Sequence, residues 1–326
     1  MPIEIGPDDP LYAQYGIRCH DFKRSLAALR PGCTLGPRTQ LNIITSYIDA
    51  SFVYGSTRSA SSSLRANSDG LMRVWNYFQE EGLKPLLPPQ VENPDEECVG
   101  RPRGRFCFKS GDSRTNQQIQ LVTLHTIHLR QHNRLALSLA ALNPHWSDNR
   151  LYHEARHIHI AMVQHILLAE YLPILLGPKL CAKYELLESQ SGAYWDHYDP
   201  SINPGVSQAF AAAAFRQGHT TVPSQVFRFN NQHEPLRVYQ LRQLFRQPWA
   251  LFEAGAVDEL LLGLLDVPAQ SFDPFMSSDL SGHLLEVPGQ PVGLDLSAIN
   301  IQRGNFVAPL LRARRQADRL DWRPPY

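Results

Sequence analysis

The sequence predicts a mainly α protein with long irregular connections, and three observations lead to this prediction. Apolar residues recur at helical spacing through two long segments, Ile119–Leu142 and Asp148–Leu176. The chain contains 25 prolines, many of them clustered in segments without periodicity. Convincing alternation of polar and apolar residues, which marks a half-buried strand, is absent. With 326 residues, of which 43% are hydrophobic, the chain is large enough to bury a substantial core.

The remaining elements follow in chain order. Residues 1–40 are rich in Pro, Gly and charge, and are predicted to be irregular with one short helix around 20–29. Residues 83–113 are predicted to form a loop. The first long helix ends at Asn143 and the second at Gly177, because a proline follows each of these residues. Three shorter helices are predicted at 207–219, which is rich in alanine, at 235–244 and at 256–264.

Charge and composition argue against two classes of partner. The chain has 31 basic and 31 acidic residues, whereas a nucleic-acid-binding protein needs an excess of Lys and Arg. The first residues lack the basic and then apolar pattern of a signal peptide. No run of about 18 apolar residues is present. We therefore expect no nucleic-acid partner and no transmembrane segment.

Five cysteines allow two local disulfides. Cys98 and Cys107 bracket a short basic loop that a disulfide can close, and Cys19 and Cys33 can form a second local disulfide. Cys181 then remains unpaired at the end of an apolar helix. The number of cysteines does not by itself decide the redox compartment.

An oxygen-rich segment precedes a predicted turn. Thr45, Asp49 and Ser51 carry side-chain oxygens, and the carbonyl of Tyr47 can complete a ligand set for Ca²⁺. Because the segment offers only one carboxylate, its spacing alone favours an ordinary polar turn.

Histidines recur on one face of the predicted helices. His125, His128 and His132 are three and four residues apart, and His153 and His157 repeat the spacing on the next helix. A zinc site needs further ligands, and no H-E-x-x-H motif accompanies these residues. We interpret them as facing solvent or contacting polar groups of the core.

Two further motifs are ambiguous on their own. Arg114 follows Asp112 at a loop-to-helix junction, where a guanidinium can stabilise negative charge in a cavity or simply lie in solvent. His219 follows Gly218 at the end of the alanine-rich helix, with Arg216 three residues earlier. This histidine can ligate a metal or a haem iron, or interact with the helix dipole.

Taken in order, these segments resemble the animal haem peroxidases of the peroxidase–cyclooxygenase superfamily. The resemblance spans residues 4–304 and is greatest to the peroxinectin and chorion-type members. It rests on long runs that occur together in the family's order: QLNIITSYIDASFVYGS, SGDSR, LHTIHLRQHNRLA, LNPHWSDNRLYHEARHIHIAMVQHILLAEYLPILLG, YDPSINPGVSQAFAAAAFRQGH and LDLSAINIQRG. The resemblance implies the family's mainly α fold with long loops.

The resemblance also implies roles for single residues. His219 matches the axial ligand of the haem iron, and Asn300 matches the residue that accepts a hydrogen bond from its other ring nitrogen. Arg114 matches the distal arginine that helps to cleave the O–O bond of hydrogen peroxide. Arg216 and Arg303 match positions near the haem and its propionates.

Two cofactors follow from the same resemblance, haem b and Ca²⁺. Thr45, Tyr47, Asp49 and Ser51 match the family's calcium loop, which reverses the interpretation from spacing alone. Gln117 stands where relatives have a glutamate that forms an ester with the haem. Since an amide cannot supply that carboxylate, the haem is expected to be bound non-covalently.

The resemblance further implies that the fold is incomplete at both ends of this sequence. The family's distal histidine, within a W-G-Q-x-x-x-H-D-like motif, is expected before Met1, together with the aspartate beside it. The expected organisation is an irregular segment at 1–40, the proximal haem half of the domain at 41–304 and a divergent basic tail at 305–326. A histidine that moves the peroxide proton typically contributes about 10²–10⁴-fold to the rate.

The implied function is that of a haem-dependent peroxidase, which uses hydrogen peroxide to oxidise a small electron donor. We expect this activity to be impaired without the distal histidine. One alternative is a catalytically inactive, extracellular adhesion or haem-binding protein, although the sequence contains no RGD or KGD tripeptide. Another is that the chain does not fold alone. The resemblance implies an extracellular location; the donor and the oligomeric state are not indicated.

Overall fold

The computed structural model describes residues 2–8, 10–21, 26–36, 38–93, 97–186, 198–286 and 293–296. Helices predominate in these ranges, which confirms the mainly α prediction. The α-helices of the described residues are α1 (Pro10–Tyr15), α2 (Ser51–Tyr54), α3 (Arg58–Leu64), α4 (Ile119–Leu142), α5 (Asp148–His165), α6 (Leu172–Leu176), α7 (Pro178–Lys183), α8 (Gln208–Ala212), α9 (Ala256–Asp266) and α10 (Ser278–Ser281).

Short strands and 3-10 segments complete the described secondary structure. The strands form two antiparallel pairs, β1 (Pro2–Glu4) with β2 (Cys19–Asp21), and β3 (Gln225–Phe229) with β4 (Pro235–Gln240). A π-helical segment, Ile166–Tyr171, joins α5 to α6. The 3-10 segments are Pro31–Cys33, Thr115–Gln117, Ala214–Thr221, Leu241–Leu244 and Pro248–Phe252.

The chain divides into two compact units. The first contains residues 1–44, 205–246 and 262–326, and the second contains 45–204 and 247–261.

The core of the second unit is built on α4 and α5, the two helices that apolar periodicity predicts. A connection of five residues, 143–147, makes them neighbours, as expected for a helical hairpin. The hydroxyl of Ser147 caps α5 by accepting a hydrogen bond from the Arg150 amide at 3.4 Å. The buried apolar residues of the two helices include Ile119, Val122, Leu129 and Ala136 of α4, and Leu151, Tyr152 and Ala155 of α5.

Beyond His165 the same helical run changes its hydrogen bonding. Pro173 lies in the first turn of α6 and has no N–H to donate to the carbonyl four residues earlier, and the π segment directly precedes this turn. The run Asp148–Leu176 contains an 18-residue window of mean hydropathy 1.5, of which 6% is buried. Its length and composition therefore suit a membrane span. Core helices of soluble proteins meet the same criterion, so the expectation of no transmembrane segment stays a prediction.

A β-hairpin occupies the position of one predicted helix in the first unit. The helix predicted at 235–244 is wrong, because β4 pairs with β3 from Gln225↔Gln240 to Arg228↔Arg237. The Asn230 side chain organises the turn by accepting hydrogen bonds from the amides of Gln232 and Glu234 at 3.0 and 2.9 Å. Helical structure begins only at Leu241–Leu244, as a 3-10 segment.

Two other predicted helices are corrected. The helix at 207–219 is shorter, because α8 ends at Ala212 and a 3-10 segment, Ala214–Thr221, follows a break at Ala213. The hydroxyls of Thr220 and Thr221 donate to carbonyls three residues earlier and so favour the tighter turn. The helix around 20–29 is wrong in its described part, where β2 and a bridge between Ala27 and Gln40 occur. The helix at 256–264 is confirmed as α9.

One of the two possible disulfides is present. Cys98 and Cys107 are bonded, whereas Cys19 and Cys33 are free and exposed. Cys181 is free and buried, as expected for the unpaired cysteine.

Candidate functional site

Arg114 lies where the sequence predicts it, at a junction between a loop and a helix. It precedes the 3-10 segment Thr115–Gln117, which leads into α4 through Gln118. Its guanidinium forms a two-point ion pair with Asp112, with Nε–Oδ1 and Nη2–Oδ2 distances of 2.9 and 2.7 Å. The Arg114 amide also donates to Oδ1 of the same carboxylate at 2.7 Å. The side chain is 54% exposed, so its charge is both fixed in position and accessible.

A buried histidine lies behind this ion pair. His125 of α4 contacts the hydroxyls of Ser110 and Thr115 through Nδ1, at 3.0 and 3.2 Å. Burial lowers the pKa of His125 to about 4, against the opposing effect of the Asp112 carboxylate. The hydrogen bonds from Arg114 lower the pKa of Asp112. At neutral pH the cluster therefore holds one ion pair and a neutral imidazole.

Side-chain to backbone bonds and a disulfide fix the loop that carries Arg114. The Asn116 amide is buried and exchanges two hydrogen bonds with the backbone of Phe108, at 2.9 and 2.7 Å. Phe108 follows Cys107, whose disulfide to Cys98 closes the preceding loop. Gly111 packs so closely on α2 that a Cβ there would overlap the carbonyl oxygen of Ser51 and the backbone beyond it. The Arg114 loop is therefore anchored to the segment predicted to bind calcium.

The predicted calcium segment, 45–51, forms a turn whose side-chain oxygens already accept backbone hydrogen bonds. The Tyr47 amide donates to Thr45 Oγ1 at 3.1 Å, and the Ser51 amide donates to Asp49 Oδ1 at 2.9 Å. Among the described residues, no group of three or more His, Cys, Asp or Glu side chains is placed to hold a metal ion. Calcium binding at this segment therefore stays a prediction.

His219 and Arg216 lie on the 3-10 segment Ala214–Thr221 of the first unit, and both side chains are half-buried. With three residues per turn, side chains three positions apart lie on one side of such a segment. An imidazole and a guanidinium on one side fit a haem, which needs an axial nitrogen and a cation for its propionates. Asn300 and Arg303, predicted to support the same site, lie outside the described residues.

The helical histidines of the second unit form a hydrogen-bonded network that the sequence only partly indicates. His132 and His159 are buried, and each contacts the hydroxyl of Tyr54 at 2.8 Å. His128 continues the network to His159, with an Nδ1–Nε2 distance of 2.9 Å. This confirms, for His132, the interpretation that these histidines contact polar core groups.

Sequence reasoning missed two participants. The sequence analysis identifies Asp112 only as a neighbour of Arg114, although an Asp two residues before an Arg at a helix start is a signal for this local bond. Tyr54 carries no local signal, since its partners lie 78 and 105 residues later in the chain.

Comparison with solved structures identifies the class of fold. The chain is similar to peroxidase A from Dictyostelium discoideum, with a TM-score of 0.78 and 29% identity over 98% of this chain and 61% of that one. It shares its fold, at a TM-score of 0.68 and 16% identity, with fatty acid alpha-dioxygenase from Oryza sativa, covering 94% of this chain and 52% of that one. The architecture is that of a haem peroxidase-like, mainly α protein.

Sequence comparison then identifies the family. A profile of the animal haem peroxidase family matches residues 1–305. Chorion peroxidase from Drosophila melanogaster and thyroid peroxidase from Homo sapiens are each 39% identical to the chain, over 93% of its length. The chain belongs to the animal haem peroxidase family. It spans 37% and 34% of the length of these two relatives, respectively.

Proposed function

We propose that this chain contributes the haem-ligating and peroxide-polarising residues of a haem-dependent peroxidase that oxidises a small electron donor. The observation that carries the proposal is Arg114, a cation fixed by Asp112 at 2.7 Å yet 54% exposed, within a chain of the animal haem peroxidase family. A positioned cation stabilises negative charge that develops on a peroxide oxygen, and it costs no reorganisation during the reaction.

In this proposal the residues of the first unit hold the cofactor. His219 is the axial ligand, Asn300 accepts a hydrogen bond from its other ring nitrogen, and Arg216 and Arg303 bind the propionates. The bound haem supplies the redox chemistry with hydrogen peroxide. Gln117 offers an amide where an ester would need a carboxylate, which supports non-covalent binding.

Finer parts of the proposal rest on the family resemblance. Ca²⁺ is proposed to bind Thr45, Tyr47, Asp49 and Ser51, and to stabilise the segment on which Gly111 packs. The domain is proposed to occupy 41–304, between an irregular segment at 1–40 and a tail at 305–326. An extracellular location is proposed, which the disulfide between Cys98 and Cys107 supports.

The test is titration of the purified chain with haemin, followed by hydrogen peroxide and a phenolic donor. We expect a sharp Soret band that His219→Ala abolishes and that His233→Ala retains. His233 is a suitable control because it pairs with Asp266, at 2.8 Å, on an exposed turn of the same unit. Haem uptake by His219→Ala equal to that of the wild type would contradict the axial-ligand assignment.

Arg114 is tested by the same assay. Arg114→Gln should bind haemin normally and lose about 10²–10³-fold in turnover, because one positioned donor is removed from the developing charge. Turnover by this variant equal to that of the wild type would exclude Arg114 from the chemistry.

Turnover by the wild-type chain that matches a complete relative would contradict the expected impairment. Haem binding without any turnover would favour the inactive haem-binding alternative.

The mode of haem attachment has its own measurement. Acidified organic solvent should extract all of the haem from the loaded chain, because Gln117 cannot form the ester. Gln117→Glu offers a matched comparison, since it restores the carboxylate at that position. Haem that stays on the wild-type protein after extraction would show that another residue provides a covalent bond.

A further inference from the structure

Tyr54 lies at the centre of a largely buried polar network in the second unit. Its side chain is 0% exposed, and it reaches from α2 to both long helices. The hydroxyl is 2.8 Å from Nδ1 of His132 on α4 and 2.8 Å from Nδ1 of His159 on α5. The network continues to the Gly70 carbonyl through His132 Nε2, at 3.0 Å, and to His128 through His159 Nε2, at 2.9 Å.

The direction of each hydrogen bond in the network follows from one fixed acceptor. The Gly70 carbonyl can only accept, so Nε2 of His132 carries a proton. Burial lowers the pKa of His132 to about 4, so the ring is neutral at pH 7 and its Nδ1 has a lone pair. Tyr54 therefore donates its hydroxyl proton to His132.

The second histidine is oriented in the opposite sense. Because the Tyr54 proton points at His132, Nδ1 of His159 donates to the phenol oxygen. Burial lowers the pKa of His159 to about 4 as well, so this ring is also neutral and its Nε2 accepts from Nδ1 of His128. The phenol thus has a proton acceptor on one side and a hydrogen-bond donor on the other.

This arrangement is suited to loss of one electron and one proton from the phenol. A phenol that has lost an electron is a strong acid, and its proton has an imidazole lone pair 2.8 Å away. The phenoxyl oxygen that remains keeps the hydrogen bond from His159. The Arg156 guanidinium, 5.0 Å from the ring centroid, opposes positive charge on the ring and so favours loss of the proton together with the electron.

We propose that Tyr54 is a redox-active tyrosine, a one-electron donor inside the protein that forms a neutral tyrosyl radical. The O–H bond of Tyr54 breaks, the proton forms an N–H bond at Nδ1 of His132, and the electron passes to a one-electron oxidant. Within the proposed function that oxidant is the haem after reaction with peroxide. A reducing donor later returns one electron, and His132 returns the proton.

Tyr152 provides a matched control within the same core. It is also buried, at 1% exposure, but its hydroxyl contacts the Ser61 hydroxyl at 3.2 Å and hydrogen-bonds to no imidazole among the described residues. A serine hydroxyl is a poor proton acceptor compared with a neutral imidazole. Oxidation of Tyr152 therefore lacks the coupled proton transfer that is available to Tyr54.

The experiment photo-oxidises the haem-free chain with a ruthenium tris-bipyridine complex and persulfate, and records tyrosyl radicals by electron paramagnetic resonance. A long-lived radical with exchangeable proton couplings from two imidazole N–H groups is expected in the wild type. Tyr54→Phe should lose most of this signal, whereas Tyr152→Phe should retain it. Persistence of the signal in Tyr54→Phe would overturn the proposal.

A second measurement needs no variant and applies even if Tyr54→Phe does not fold. Electron–nuclear double resonance of the wild-type radical, in normal and deuterated water, detects the two imidazole protons directly, and their absence overturns the proposal.

The role of the haem as oxidant rests on the proposed function. A parallel sample, loaded with haemin and treated with peroxide, therefore tests the redox-active tyrosine and the proposed function separately. Failure to bind haemin, with the photochemical radical intact, refutes the function alone. Turnover without a Tyr54 radical in either sample refutes this inference alone.

Discussion

The two ends of the helical run Asp148–Leu176 differ in what they contact, although both are strongly helical. In α5 the side chains of Leu151, Tyr152, Ala155 and His159 are buried against the rest of the second unit. Residues 166–176 bury no side chain within the part of the chain that is described, and Ile174 is 86% exposed. The apolar composition of the outer end therefore does not predict its burial. Helical periodicity shows which face is apolar, but burial also needs a partner surface.

Replacing one tyrosine at each end of the run by alanine should give the largest difference in the free energy of unfolding. Tyr152→Ala should lower the free energy of unfolding by about 3–5 kcal/mol, because a fully buried aromatic ring leaves a cavity. Tyr171→Ala, at a position 48% exposed, should change it by no more than about 0.5 kcal/mol. Urea denaturation of both variants measures the difference. Equal losses would mean that the outer end is packed in solution.

The buried histidines of α4 and α5 should make stability depend on pH. His125, His132 and His159 have pKa values lowered to about 4 by burial, so between pH 6.5 and 4 the unfolded chain binds more protons than the folded chain. Their contribution is complete above pH 6.5 and is lost as the pH falls, by about 1.4 kcal/mol per pH unit for each group. Urea denaturation at a series of pH values measures this slope.

Glutamine variants of two histidines on α5 show which histidine makes the free energy of unfolding depend on pH. His159→Gln should reduce it, because one buried imidazole is removed. His157→Gln, at an exposed position two residues earlier, should leave it unchanged. An unchanged slope in His159→Gln would show that this histidine does not titrate as described.

The start of α5 should show a smaller effect. Asp148 accepts a hydrogen bond from the Gly70 amide at 2.8 Å and pairs with Arg65 at 2.7 Å. Asp148→Ala should therefore cost about 1–3 kcal/mol, because the amide and the guanidinium lose their acceptor. Glu170→Ala, at an exposed position of the outer end, is the control and should be nearly neutral. A neutral Asp148→Ala would contradict the docking of Gly70 on this helix.

The smallest effect is expected at the helix cap. Ser147→Ala should destabilise the second unit by about 1 kcal/mol, because the Arg150 amide loses its acceptor. Ser147→Thr keeps a hydroxyl and should lose less. Thermal denaturation followed by circular dichroism resolves the two variants, and identical midpoints for wild type and Ser147→Ala would exclude a capping role.

Local signals in the sequence predicted one part of the fold and failed for another. The bounds of α4 follow from apolar periodicity and a proline, both of which act within a few residues. The sequence does not predict the hairpin of β3 and β4, because its strands are short and their polarity does not follow their burial: Arg228 of β3 is buried, whereas Leu236 and Val238 of β4 are exposed. Pairing between strands, and not local propensity, decides the conformation of 235–240.

The candidate site also has one part that local sequence signals predict and one part that they do not. The junction that carries Arg114 was predicted correctly, because Gly, Asp and the start of a helix are local signals. The partnership of Tyr54 with His132 and His159 was not, because a tyrosine hydroxyl can pair with any acceptor that tertiary structure brings near it. The family resemblance named ligands for haem and calcium, but it could not show this network.

The contacts of Gly70 have a consequence for the order of folding. Gly70 has a φ of +72°, and a Cβ there would collide with the backbone of Leu151 and Tyr152, while its carbonyl accepts from His132. The α4–α5 hairpin closes over five residues, so we expect it to form early, whereas Gly70 docks across a separation of 62 residues from His132. We therefore expect the Gly70 carbonyl to reach the imidazole of His132 only in that slower step. A bulky residue at position 70 should therefore slow the late phase of refolding and leave a partly ordered helical intermediate that is prone to self-association.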